Sequence, residues 1–246
     1  MVPKWIVVTG ASSGIGRATS RYLLQEGYQV ILSSRREEML WETVNGFPFS
    51  PRDFRVLPWD FSKLDLLHAF ARRVKEEVGE ISGLVHCAGL QKTIPLSMSS
   101  VPRLMEVFSL NTFAAILLVD LFSQKGFFLP GCSFVLLSSL AARRASEGQS
   151  LYAASKGALE SFALSASLEL AKKGIRINTV VPGLLETPMV VGFLEKLSEV
   201  QRERLLHSYS LGIGQPEDIA PLIEFLISSR SKWITGRNYP IDGGFQ

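Results

Sequence analysis

Cysteine is scarce in this chain of 246 residues: Cys87 and Cys132 are the only two. So few, so widely separated, make neither a disulfide framework nor a metal-ligand cluster, and no metal site is expected. No block of one charge stands out either, since 26 basic and 23 acidic residues are scattered for a formal net charge of +3. That excludes a basic arm of the nucleic-acid-binding kind, and no nucleic-acid partner is expected. Long hydrophobic runs are missing as well. The longest, "FAAILLVDLF", is interrupted by Asp120 and falls short of the ~18 residues of a membrane span, so no membrane association is expected. The opening "MVPKWIVVTG" lacks the apolar length and small-residue cleavage site of a signal peptide. Together these absences point to a reducing, cytoplasmic setting.

What is present is a 46% hydrophobic composition, ample for a sizeable core. Short β-rich runs ("WIVVTG", "YQVILSS", "FRVLP", "GLVHCAG", "SFVLLSS", "GIRINTVVPG", "NYPIDGG") alternate with helical patterns. Strands alternating with helices of this length imply right-handed crossovers and a parallel sheet covered on both faces. The expectation is an α/β, doubly wound Rossmann fold of about seven strands. No linker or repeat divides residues 1–246, so they are read as one domain. In such sheets ligands bind beyond the carboxyl ends of the strands.

The first of those ends carries "TGASSGIG". Its glycines allow a tight turn and close backbone approach to a pyrophosphate, and the helix that follows offers free N–H groups to the phosphates. Gly10, Ser12, Ser13, Gly14, Ile15 and Gly16 are therefore candidate cofactor contacts. A glycine-rich turn that merely closes a strand-helix junction is the alternative. At the end of the second strand, where an acidic residue would hold an adenosine ribose, the chain reads "ILSSRREE". A guanidinium forks onto a 2′-phosphate and a hydroxyl adds a hydrogen bond, so Arg35 and Ser34 predict NADP(H). Alternatively, Arg35 and Arg36 simply open a solvated helix beside Glu37 and Glu38. After the third strand Asp60, with Phe61 beside it, is a candidate adenine contact or a helix cap.

Tyr152 and Lys156 in "SLYAASKGALE" share a face of a helix, one turn apart. An ammonium within a few ångströms favours phenolate by roughly 1 to 3 pH units, which predicts a lowered Tyr152 pKa. Ser139, at the end of the fifth strand, lies close enough in sequence to present its hydroxyl to the same site. With "TGASSGIG", "AG" at 88–89, Asn111, "NTVVPGLLETPM" and "WITGRNYPIDGG", the chain resembles the short-chain dehydrogenase/reductase family over essentially its whole length. The resemblance implies that Tyr152 exchanges a proton with the substrate oxygen and that Ser139 polarises the carbonyl. It further implies that Lys156 depresses the tyrosine pKa and binds the nicotinamide ribose, and that Asn111 helps hold a water relaying protons to Lys156. Ala88 and Gly89 would contact the cofactor through their backbone. Pro182, Gly183 and Thr187 would seat the nicotinamide carboxamide. Asn111 is also a candidate helix-kink residue that satisfies backbone groups.

One departure from the family's pattern is "HCAG" in place of "NNAG", which removes side chains that normally tie neighbouring strands. His86 is expected to be a buried histidine with a backbone partner and Cys87 an inert thiol. Between residues 187 and 210, Met189, Val190, Phe193, Leu194 and Leu197 form an apolar face. The resemblance implies that this segment is a substrate lid, its apolar face suited to an acyl chain; the alternative is an ordinary amphipathic helix packed on the core. Arg143 and Arg144 either meet an anionic tail or are solvated loop residues. Similarity to 3-oxoacyl-acyl-carrier-protein reductases predicts an NADPH-dependent ketoreductase. The alternatives are a reductase or dehydrogenase of a sugar, polyol or other secondary alcohol, or a cofactor-binding regulator without turnover. The expected partner is a small carbonyl or alcohol substrate, free or carried on a thioester. Helices apolar over more than one face suggest a subunit interface, and the resemblance implies a homotetramer or homodimer.

Overall fold

A computed structural model describes residues 5–187, 190, 194–195 and 197–245. Seven strands form one sheet in the order β3-β2-β1-β4-β5-β6-β7, and every pairing is parallel. They are β1 (Trp5–Thr9), β2 (Gln29–Ser33), β3 (Phe54–Val56), β4 (Ile81–His86), β5 (Phe128–Leu137), β6 (Arg176–Pro182) and β7 (Asn238–Ile241). The chain runs outward from β1 through β2 to β3, then returns to place β4 on the other side of β1. That reversal opens a crevice at the carboxyl ends of β1 and β4.

Both faces of the sheet are buried, and side chains alternate between them with the strand period of two. Along β5, Cys132, Phe134 and Leu136 enter one core, while Val135 and Leu137 enter the other. The first core is closed by helices α3 (Leu67–Val78), α5 (Ala114–Phe122) and α6 (Ser150–Ala171), the second by α1 (Gly14–Gln25) and α8 (Pro216–Ile227). Phe70, Phe122 and Phe134 are fully buried in the first core, each worth about 1.5–3 kcal/mol of transfer free energy. Helices α2 (Glu37–Val44), α4 (Val101–Phe108) and α7 (Glu199–His207) complete the order.

Helices α4 and α5 are joined without a break by a π-helical turn, Ser109–Phe113. The continuous helix Val101–Phe122 has 22 residues, with a mean hydropathy of 1.7 over an 18-residue window within it. It is thus longer than its uninterrupted apolar run suggests, and by length and composition alone it could cross a membrane. Half of that window is nevertheless buried within the protein, where α5 packs in the first core.

Candidate active site

The glycine loop is shaped by contacts that leave no room for side chains. Gly10 and Gly14 have φ of 68° and 50°, a region costly for residues with a Cβ. A Cβ at Gly10 would lie 2.8 Å from the Ala88 nitrogen, and one at Gly16 only 2.2 Å from the Gly10 carbonyl oxygen. The loop is therefore laid directly against the turn after β4. Register puts Thr9 opposite His86. Thr9 Oγ1 accepts from the Ala88 backbone N–H at 3.1 Å and hydrogen-bonds His86 Nδ1 at 3.0 Å.

His86 thus restores a tie between β1 and β4 that the "HCAG" departure had put in doubt, through the Thr9 hydroxyl, with the Leu110 backbone as a second partner of the ring. It is fully buried, and burial lowers its pKa to about 3, helped by the Lys156 charge. A hydrogen bond with the Leu110 backbone favours the charged ring, but less than burial disfavours it. Cys87 beside it is no nucleophile: burial pushes its thiol up to about 12.

Two cavities meet at this end of the sheet. The first, of about 240 Å³, is bordered by the loop residues Gly10, Ser12, Ser13, Gly14, Ile15 and Gly16. Of the other predicted cofactor contacts, Ser34, Arg35, Asp60, Phe61, Ala88, Gly89 and Thr187 border it too, whereas Tyr152, Lys156, Pro182 and Gly183 do not. Arg36, Trp59, Cys87 and Leu110 also line it; of these only Arg36, next to Arg35, carried a signal in the sequence. The Ser34 hydroxyl is buried there without a hydrogen-bond partner. Burial would raise the Asp60 pKa, but hydrogen bonds from the Ser62 hydroxyl and backbone N–H outweigh it and, with Arg35 and Lys63 nearby, hold the group below its ordinary value. Asp60 therefore caps its own turn while bordering the cavity.

The second cavity, of about 230 Å³, shares Ile15 and Thr187 with the first and contains Ser139, Tyr152, Pro182 and Gly183. A Cβ on Gly183 would come within 2.8 Å of the Asp242 Cα, so the end of β7 dictates glycine there. Val190, Leu205, Tyr209 and Phe245 form part of the wall. Helix α7 begins with a capping box between Ser198 and Gln201. Of the expected lid face, Met189 and Phe193 lie outside the described residues.

Ser139 follows β5 and caps a short 3₁₀ turn, its Oγ accepting from Ala141 N–H at 3.2 Å. Tyr152 and Lys156 stand one turn apart on α6 and are both buried. The predicted depression of the tyrosine pKa by Lys156 is not found here. Burial raises the phenol above its ordinary value, and the facing Ser139 side chain is what pulls it back. The Lys156 ammonium instead donates to the Leu137 carbonyl at 2.7 Å, and burial lowers its pKa to about 8.

Asn111 sits in the π turn, a form that recurs at functional sites. Its Oδ1 accepts from Leu90 N–H at 2.8 Å, and its Nδ2 donates to the Leu90 carbonyl and to Ser155 Oγ, each at 3.0 Å. Asn111 therefore clamps the turn after β4 to α6. A Cβ at Gly89 would lie 3.2 Å from Asn111 Oδ1 and 3.3 Å from Lys156 Nζ, so Gly89 is where the first cavity meets both side chains. A further brace was not read from the sequence. Glu160 accepts from Ser138 Oγ at 2.8 Å and from Arg143 Nε and a terminal guanidinium nitrogen at 3.0 and 2.9 Å, pinning the Ser139 loop to α6.

Residues 10–246 match the family described as Enoyl-(Acyl carrier protein) reductase. The 3-oxoacyl-[acyl-carrier-protein] reductase FabG of Thermotoga maritima is 32% identical over 98% of this chain and 97% of its own length. A solved actinorhodin polyketide ketoreductase with NADPH superposes with a TM-score of 0.88 at 25% identity, over 98% of this chain and 97% of that one. A 4-hydroxyisoleucine dehydrogenase complexed with NADH gives a TM-score of 0.88 at 26% identity, covering 98% of both chains.

Proposed function

Because the chain belongs to the short-chain dehydrogenase/reductase family of nicotinamide-dependent oxidoreductases, we propose that it is an NADPH-dependent ketoreductase whose substrate is a 3-oxoacyl thioester. The observation that carries this reading is the convergence of Ser139 and Tyr152 on one cavity that shares a wall with the glycine-loop cavity. The residues present fit a dinucleotide phosphate. Glycines press the loop backbone against its surroundings, Arg35 and Arg36 border the cavity, and the unpartnered Ser34 hydroxyl awaits an acceptor or donor. Bound there, the cofactor supplies the hydride that reduces a carbonyl.

The chain's own residues manage the charge and the proton. Tyr152, its pKa raised by burial, is protonated at neutral pH and donates that proton to the carbonyl oxygen. The Ser139 hydroxyl donates a hydrogen bond to the same oxygen and stabilises the charge developing on it. Lys156, its ammonium held by the Leu137 carbonyl, supplies a positive charge one helical turn from the resulting phenolate and restores its proton, with Asn111 organising the relay beside it. Relatedness to a 3-oxoacyl-acyl-carrier-protein reductase and to a polyketide ketoreductase supports the thioester as substrate. The exposed apolar side chains Leu164 and Leu168 on α6 support a homo-oligomer, and the scarcity of cysteine a cytoplasmic setting.

Oxidation of NADPH and of NADH by a short 3-oxoacyl thioester, measured beside Tyr152→Phe, tests the proposal. Removing the proton donor is expected to lower kcat by roughly 10²–10⁴-fold while NADPH binding is retained. A variant that keeps wild-type turnover would exclude Tyr152 as the acid. NADPH binding without thioester reduction by the wild type would exclude the substrate and leave the cofactor assignment standing.

A further inference from the structure

The two adjacent arginines after Ser139 have separate fates. Arg143 turns inward to Glu160. Arg144 turns to the second cavity, where its guanidinium lies 5.2 Å from the centroid of the Phe245 ring. Phe245 in turn packs edge-on against Tyr209, centroids 4.8 Å apart, and both rings line the same cavity. Among the described residues Arg144 is the sole charged side chain in that wall, and no carboxylate pairs with it. The guanidinium face is held by an aromatic ring, which leaves its in-plane N–H groups free to fork onto an anion. Desolvating such a cation under a neutral ligand would cost free energy, whereas an anionic ligand offsets that cost.

We infer that Arg144 is a specificity-determining residue that receives an anionic group on the non-reacting end of the substrate, so that the preferred substrate is an anionic carbonyl compound. This rests on the ketoreductase reading for the position of the reacting carbonyl, at Ser139 and Tyr152. The anion is either the carboxylate of an oxo-acid or the phosphate of a thioester carrier, and one experiment separates them.

The full chain saturated with NADP⁺, which holds a ketone without reducing it, is titrated calorimetrically with two matched pairs. One pair is acetoacetate and methyl acetoacetate. The other is acetoacetyl-4′-phosphopantetheine and acetoacetyl-N-acetylcysteamine. In the wild type the anionic member of at least one pair is expected to bind about 10-fold more tightly than its neutral partner, as a charge-assisted hydrogen bond allows. An advantage in the first pair identifies a carboxylate, and in the second a phosphate. Arg144→Met, which keeps an apolar contact to Phe245, should erase the advantage, and Arg144→Lys should keep part of it. Unchanged thermal unfolding and NADP⁺ affinity would show that the variants remain folded. The inference is overturned if the anionic member binds no more tightly in either pair, or if Arg144→Met preserves the difference. A binding difference without turnover in NADPH would instead overturn the ketoreductase reading and leave the role of Arg144 intact.

Discussion

Arg35 is the residue on which cofactor choice turns. It stands exposed at the rim of the first cavity beside Arg36, while the nearby carboxylate of Asp60 is already engaged by Ser62. A guanidinium there attracts a 2′-phosphate and has nothing comparable to gain from a free ribose hydroxyl. Arg35→Asp replaces that attraction with repulsion, and the ratio of kcat/KM for NADPH to that for NADH is expected to fall by at least ~10-fold, about 1.4 kcal/mol. An unchanged ratio would remove Arg35 from the assignment. This position is readable in a sequence because it follows from one strand end and one charge. Trp59 and Leu110, on the same cavity, are not, because large apolar residues give no sign of whether they face a ligand or a core. The Glu160 brace was equally hidden, since pairing Glu160 with Arg143 and Ser138 depends on where the loop after β5 falls on α6.

At the scale of elements, the strand-helix alternation gave away the sheet, because a period of two buried on both faces and short punctuated runs survive in the sequence itself. The π turn did not, since one widened turn leaves the apolar periodicity of α4 and α5 almost untouched. The link between β1 and β4 is a further case: the loss of two asparagines was visible, whereas the His86–Thr9 bond that replaces their tie needed the register of the two strands. It has a pH signature. The folded protein keeps His86 neutral down to about pH 3, whereas the unfolded chain takes up the proton near pH 6.5. Between those values the unfolded state binds more protons, so this contribution is complete above pH 6.5 and is lost as pH falls toward 3. The slope approaches about 1.4 kcal/mol per pH unit. Urea unfolding at pH 7 and pH 5 should therefore show the wild type losing roughly 1–2 kcal/mol more than His86→Asn. Equal losses would mean that the imidazole titrates normally in the fold.

For the whole molecule, the question is what the outer surface of α6 meets. Its inner face carries Tyr152 and Lys156 into the site and Leu159 and Ala163 into the first core, while Leu164 and Leu168 are 57% and 74% exposed one turn apart. Helix α4 leaves Val101, Leu104 and Met105 exposed as well. Single exposed leucines are unremarkable, but apolar residues spaced four apart along one helix form a stripe, and a stripe is what a second helix buries. A partner copy docked there would brace the helix that holds the catalytic candidates, coupling assembly to activity. Light scattering at micromolar concentration is expected to give a multiple of the 27.2 kDa chain mass. Leu168→Glu places a charge in the proposed contact at little cost to an isolated chain, because the side chain is mostly in water there already. It should shift the mass toward 27.2 kDa and lower kcat while leaving circular dichroism unchanged. A wild type that scatters as a single chain would dismiss the assembly. A variant that becomes monomeric with full activity would separate assembly from the positioning of Tyr152 and Lys156.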